Sequence, residues 1–209
     1  MPSTRYQKIN AHHYRHIWVV GDIHGEYQLL QSRLHQLSFF PKIDLLISVG
    51  DNIDRGPESL DVLRLLNQPW FTSVKGNHEA MALEAFETGD GNMWLASGGD
   101  WFFDLNDSEQ QEAIDLLLKF HHLPHIIEIT NDNIKYAIAH ADYPGSEYLF
   151  GKEIAESELL WPVDRVQKSL NGELQQINGA DYFIFGHMMF DNIQTFANQI
   201  YIDTGSPNS

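Results

Sequence analysis

An apolar run that ends abruptly in ligand-type side chains most constrains what this chain can fold into. Ile17-Trp18-Val19-Val20 runs straight into Gly21-Asp22-Ile23-His24-Gly25. A buried strand ending in glycine and followed by a helical pattern places its polar residues at the carboxyl edge of a sheet, where open α/β folds bind ligands. Asp22 and His24 are therefore candidate metal ligands. An oxygen and a nitrogen ligand together suit a hard or borderline divalent ion such as manganese, iron or zinc. One such pair also describes an ordinary strand end with a turn glycine, so its weight comes from repetition.

The pattern does repeat. Leu30, Leu34 and Leu37 follow at helical spacing over Glu26 to Leu37, completing a first β–α unit. Asp44 to Val49 then reads as a buried strand entering Gly50-Asp51-Asn52-Ile53-Asp54-Arg55-Gly56, and Pro57 opens a helix bearing Leu60, Leu63 and Leu66. A third unit has Phe71 to Lys75 as strand, Gly76-Asn77-His78-Glu79 as turn, and a helix ending near Gly89. Successive β–α units of this kind predict a mainly parallel sheet with its polar turns on one edge.

Gly91 to Phe103, rich in tryptophan, phenylalanine and glycine, reads as a packed loop or short helices covering the core. Ser108 with Gln111 predicts a capping box and a helix to Phe120. Beyond Pro124, His125 to Thr130 and Ile134 to His140 flank the hairpin signal Asn131-Asp132-Asn133, and the second strand ends in His140-Ala141-Asp142. Tyr182 to Phe185 runs into Gly186-His187, and residues 193–197 with 199–203 predict a last hairpin.

Composition narrows the chemistry. The chain has 209 residues with no long linker, which predicts a single domain over 1–209. A formal charge of -16 disfavours nucleic acid and anionic membranes as partners, and any phosphate chemistry would need cations to invert the local field. There are no cysteines, which excludes thiolate metal sites and cysteine-based phosphatases. The apolar run near the amino terminus is too short for a signal peptide or a membrane span, which predicts a cytoplasmic protein. Strand ends thus carry Asp22, His24, Asp51, Asn77, His140 and His187, a set that suits two divalent ions roughly 3.5–4 Å apart with a carboxylate between them.

GDIHG, GDNIDRG, GNHE, a strand ending in HAD, and FGH stand in the order and approximate spacing of one family. The chain resembles the phosphoprotein phosphatases within the calcineurin-like metallophosphoesterases, in particular their phage-like and enterobacterial serine/threonine branch. Arg15 to Val20, Leu45 to Val49, His140 to Pro144 and Tyr201 to Gly205 share the likeness, which therefore covers nearly the whole chain. It implies an α/β metallophosphoesterase sandwich of two central mixed β-sheets flanked by helices, acting as a metal-dependent protein serine/threonine phosphatase. By that resemblance Asp22 and His24 hold a first metal, Asp51 bridges, and Asn77, His140 and His187 hold a second. Manganese is the expected ion, with iron or zinc as alternatives. A hydroxide held between two cations would attack phosphorus directly. His78 would protonate the departing oxygen, oriented by Asp54, and Arg55 would grip the phosphoryl group through its planar fork of donors. The implied partner is a phosphorylated protein or peptide.

Two departures from the family stand out. Its second phosphate-binding arginine lies two residues after a tryptophan, and Trp161-Pro162-Val163 puts a valine there. One charge-assisted contact, worth roughly 1.5–3 kcal/mol, is then missing, and Arg165, matching an arginine farther downstream, is expected to bind substrate in its place. The relatives also continue past the equivalent of Gly205 into a closing strand, where this chain has Ser206-Pro207-Asn208-Ser209. The last strand is therefore expected to be missing, with dimerisation through the unpaired sheet edge as a consequence. Two other readings use the same residues: a dinucleoside polyphosphate hydrolase on this scaffold, and a decayed, weakly active phospho-binding protein. The HADYP and YIDTG stretches weigh against the first, and the intact ligands with Asp54, Arg55 and His78 against the second.

Overall fold

The computed structural model describes residues 4–206. Its amino-terminal half alternates strand and helix: β1 (Tyr6–Asn10), β2 (Ile17–Val20), α1 (Tyr27–Gln36), β3 (Leu45–Ser48), α2 (Ser59–Arg64), β4 (Phe71–Ser73) and α3 (Asn77–Thr88). Next come α4 (Asn92–Ala96) and α5 (Asp107–Leu117), then β5 (Ile126–Asn131), β6 (Ile134–Ile138), α6 (Ser157–Leu160) and α7 (Asp164–Leu170). β7 (Tyr182–Phe185), β8 (Gln194–Phe196) and β9 (Gln199–Tyr201) complete the chain.

The strands form two sheets. β2, β3 and β4 pair in sequence order and in parallel, as the three β–α units require. The larger sheet has the order β1-β5-β6-β7-β9-β8 and mixes parallel with antiparallel pairs. Only one of the two sheets is therefore mixed, because every crossover in the smaller one runs through a helix and returns in the same direction.

Side-chain alternation explains the layering. Leu45 and Ile47 of β3 face Ile127, Ile129 and Ile138 of the larger sheet, so one core lies between the sheets. Leu46, on the other face of β3, packs under Leu30 and Leu34 of α1 and Val62 of α2. All four β3 residues are consequently buried. Aromatic residues dominate beyond the large sheet, where Phe183, Phe185 and Tyr201 meet Tyr143, Tyr148 and Leu160.

Several local expectations shift. β1 escapes a period-based reading because only Ile9 of its five residues is buried; as an edge strand it leans on β5 alone. The cap of α5 is Asn106, whose side chain accepts from the Ser108 and Glu109 backbone N–H groups while Glu109 returns the bond to Asn106. Gly89 ends α3 in the left-handed conformation at φ 76°. The 91–103 stretch becomes α4 and a 3-10 helix, Gly99–Asp104. The expected loss of a closing strand concerns positions past Ser206, outside the described residues. Among the described residues β2 and β4 are the edge strands of the small sheet, and no helix is long and apolar enough to cross a membrane.

Candidate functional site

The carboxyl ends of strands from both sheets meet at one rim. Asp22 and His24 follow β2, Asp51 follows β3, Asn77 follows β4, His140 follows β6 and His187 follows β7. The His140 Nε2 lies 2.8 Å from the Asn77 Oδ1 and 3.4 Å from the Asp51 Oδ2, and the His187 Nδ1 lies 3.0 Å from the same Asn77 oxygen. The Asp22 carboxylate accepts the His187 backbone N–H at 3.1 Å. The sequence motifs thus converge in space, although they come from two sheets.

Hydrogen bonding away from the centre fixes which atoms face it. The His140 Nδ1 lies 2.8 Å from the Val49 carbonyl, and the His24 Nδ1 lies 2.9 Å from the Ile53 carbonyl. A carbonyl only accepts, so each Nδ1 carries a proton and each Nε2 is the atom turned toward the centre. The His140 Nε2, the His187 Nδ1, the Asn77 Oδ1 and the Asp51 carboxylate crowd together there, an arrangement that a cation satisfies once it displaces the His140 Nε2 proton. Nitrogen and oxygen atoms of His24, Asp51 and His78, and of Asp51, His140 and His187, each fall within 4.8 Å of one another, with Asp51 common to both groups. The donor set fits two borderline divalent ions sharing Asp51.

Within the first of those groups His78 is the poorer ligand. Its Nδ1 bonds the Asp54 Oδ2 at 2.7 Å, and the Arg55 guanidinium sits 3.3 Å from its Nε2, where a second cation would be repelled. Asp22, half-buried, lies beside His187, whose backbone N–H its carboxylate accepts.

Electrostatics follow from burial and proximity. Burial alone would raise the Asp51 carboxyl, but His140 and His78 together draw it far below the usual range. Burial also disfavours charge on His140, yet Asp51 and Asp22 push it up to about 10. Burial pushes His24 and His187 down to about 4, the neutral form a metal needs. Desolvation raises Asp22, with Asp51 and Asp203 adding to it.

The backbone is strained where the function would lie. Of the eight non-glycine residues with positive φ among the described residues, five are His24 at 45°, Asp51 at 49°, Asp54 at 73°, Arg55 at 67° and His187 at 65°. Such conformations cost roughly 1–2 kcal/mol each in an L-residue and persist where surrounding contacts over-determine them. One such contact is the wholly buried Glu79. Its Oε2 accepts from the Asp51 and Gly76 backbone N–H groups at 3.0 and 2.9 Å, and its Oε1 from the Asn52 N–H at 2.6 Å. Gly76 must be glycine, since a Cβ there would collide with the Asp51 carboxylate.

Residues outside the motifs also reach the site. The Trp101 Nε1 donates to the Asp54 Oδ1 at 2.8 Å and the Trp94 Nε1 to the same oxygen at 2.9 Å. Both come from the aromatic stretch read as core cover, and Glu79 stood in its motif without a role. Nothing in periodicity separates an indole that packs from one that donates.

Arg165 is placed differently from its expected role. It is 8% exposed, and its guanidinium donates to Asp142 at 2.8 Å, to the Tyr143 carbonyl at 2.9 Å and to the Gly145 carbonyl at 2.7 Å. Reaching a phosphate would break all three bonds, so as it stands the side chain pins the loop after His140. Val163 packs against the aromatic core beyond the large sheet. Arg55, by contrast, is exposed at the mouth.

The family model of the calcineurin-like phosphoesterases matches residues 15–190. The chain is 60% identical to serine/threonine-protein phosphatase 2 of Salmonella typhimurium, over 99% of this chain and 94% of that protein. It is 45% identical to serine/threonine-protein phosphatase 1 of the same organism, over 98% and 93%. Among solved structures, a Saccharomyces cerevisiae protein serine/threonine phosphatase shares the fold with a TM-score of 0.68 at 18% identity, over 98% of this chain and 73% of that one. With the family matched over most of its length and relatives aligned from end to end, the chain belongs to the calcineurin-like phosphoesterases, on the branch of the enterobacterial serine/threonine-protein phosphatases.

Proposed function

We propose that this protein is a single-domain, metal-dependent serine/threonine phosphatase acting on phosphorylated proteins. The observation that carries the reading is the Asp54–His78 pair, 2.7 Å apart, set beside a cluster of converging metal-ligand atoms. The 60% identity to a serine/threonine-protein phosphatase supports the choice of substrate. Two divalent ions, manganese first among them, would be held by Asp22, His24 and Asp51 on one side and by Asp51, Asn77, His140 and His187 on the other. When bound, such ions supply Lewis acidity to the phosphoryl oxygens and to an attacking water.

The chain's own residues do the rest. As the bond from phosphorus to the serine or threonine oxygen breaks, the His78 Nε2 gives its proton to that oxygen while the Nδ1 keeps its own, hydrogen-bonded to Asp54. Arg55 approaches His78 from the open side and meets the phosphoryl oxygens. Arg165 supports the His140 loop, and Val163 leaves one phosphate contact unmade. The net charge of -16 argues against nucleic acid as substrate. We assign the protein to the cytoplasm, in line with a sequence that holds no cysteine for disulfides. Self-association through a sheet edge is the oligomer proposed here.

Turnover of a phosphoserine peptide against diadenosine tetraphosphate tests the substrate class, since a symmetrical bis(5'-nucleosyl)-tetraphosphatase is 32% identical over 59% of the chain. Faster hydrolysis of the peptide is expected; hydrolysis of the dinucleotide alone would replace this reading.

A further inference from the structure

Asp54 is 0% exposed, and its carboxylate is enclosed by aromatic side chains. A buried carboxylate with one partner is poorly matched to its surroundings, because desolvation penalises its charge. Here burial does raise Asp54, and His78, Trp101 and Trp94 oppose that rise. The Oδ2 is taken by His78, while the Oδ1 accepts from Trp101 at 2.8 Å and Trp94 at 2.9 Å. The two indoles meet edge to face at 84°, with ring centroids 6.3 Å apart. Trp94 is 3% and Trp101 9% exposed.

An indole N–H is a donor only, so the Asp54 oxygens it meets must accept. It also carries no net charge. A lysine or arginine in that place would neutralise Asp54 and cancel its pull on His78, and water would leave the orientation loose. Two indoles satisfy the carboxylate, keep its charge and exclude solvent together.

We infer that Trp94 and Trp101 are positioning residues for the hydrolysis, fixing the Asp54 carboxylate so that His78 keeps its proton directed at the departing oxygen. This deepens the phosphatase reading and rests on it, in particular on His78 as the proton donor. A buried charge-assisted bond lost without a substitute costs about a factor of ten or more in the step it supports. That loss falls on substrates whose leaving oxygen needs a proton, and spares those whose leaving group departs as a stable anion.

The test compares a phosphoserine peptide with p-nitrophenyl phosphate in the manganese-loaded full chain. Trp101→Phe should lower kcat on the peptide about tenfold or more, with KM unchanged, and alter kcat on p-nitrophenyl phosphate less than twofold. Adding Trp94→Phe should bring the peptide rate toward that of Asp54→Asn. Installing the benzothiophene analogue of tryptophan at position 101, which keeps the ring shape and removes only the N–H, should reproduce the selective loss even if the phenylalanine variant folds poorly. Equal loss on both substrates, or none on the peptide, in the benzothiophene variant would overturn the inference. His78→Asn separates the layers: if it too slows both substrates equally, the proton-donor role has failed, and with it the basis for the indoles.

Discussion

Arg165 and Asp142 form the clearest case in which a residue's surroundings decide its part. Asp142 is buried, and Arg165 is the cation beside it at 2.8 Å. Removing one member of a buried pair typically costs about 3–5 kcal/mol. Arg165→Ala is therefore expected to lose about that much stability in urea unfolding while the KM for a phosphopeptide stays near the parent value. A raised KM at unchanged stability would instead make Arg165 a phosphate ligand. The six candidate ligands were legible as a set because each follows an apolar run, whereas any one of them alone describes an ordinary strand end. The role of Arg165 was not legible, because an arginine near a site and an arginine clamping a loop look alike in one dimension.

At the scale of elements, Glu79 links two β–α turns that are far apart in sequence. It holds the turn after β3 and the turn after β4 through backbone N–H groups of Asp51, Asn52 and Gly76. Glutamine has the same shape but offers one acceptor and one donor, so at least one of those N–H groups would lose its partner. Glu79→Gln is expected to weaken manganese binding about tenfold or more, as loss of outer support for metal ligands commonly does. Saturating metal should restore most of kcat, and unchanged affinity by titration calorimetry would contradict this account of the turns. The β–α units themselves were readable from period and punctuation. The cap of α5 was not, because Asn106 with Glu109 and Ser108 with Gln111 both satisfy the capping pattern, and only backbone geometry selects Asn106.

Part of the molecule's acid sensitivity lies away from the site. Burial resists ionisation of Glu156, but His125 at 2.8 Å and Lys75 at 3.1 Å draw it down to about 2 from an ordinary value of 4.5. A carboxylate held lower in the folded state contributes fully above its unfolded value and loses that contribution as pH falls through the folded one. The protein should therefore lose on the order of 3 kcal/mol between pH 4.5 and 2 through Glu156. Glu156→Gln should flatten the stability curve across that window, and parallel curves would refute the assignment. The β–α rhythm indicated an α/β fold, and the likeness of the GDIHG, GDNIDRG and GNHE motifs a phosphoesterase. They did not reveal that the rim is shared by a parallel three-stranded sheet and a mixed six-stranded one, because strand order beyond consecutive units leaves no local mark.

The most direct test of that shared rim is the manganese dependence of phosphoserine-peptide hydrolysis by the parent chain and by Asp51→Asn. Asp51 is the one carboxylate common to both groups of ligand atoms. The account predicts turnover that requires the metal and falls by at least about a thousandfold in Asp51→Asn with the fold intact, given what two-metal clamping contributes. Metal-independent turnover, or an Asp51→Asn variant as active as the parent, would contradict it.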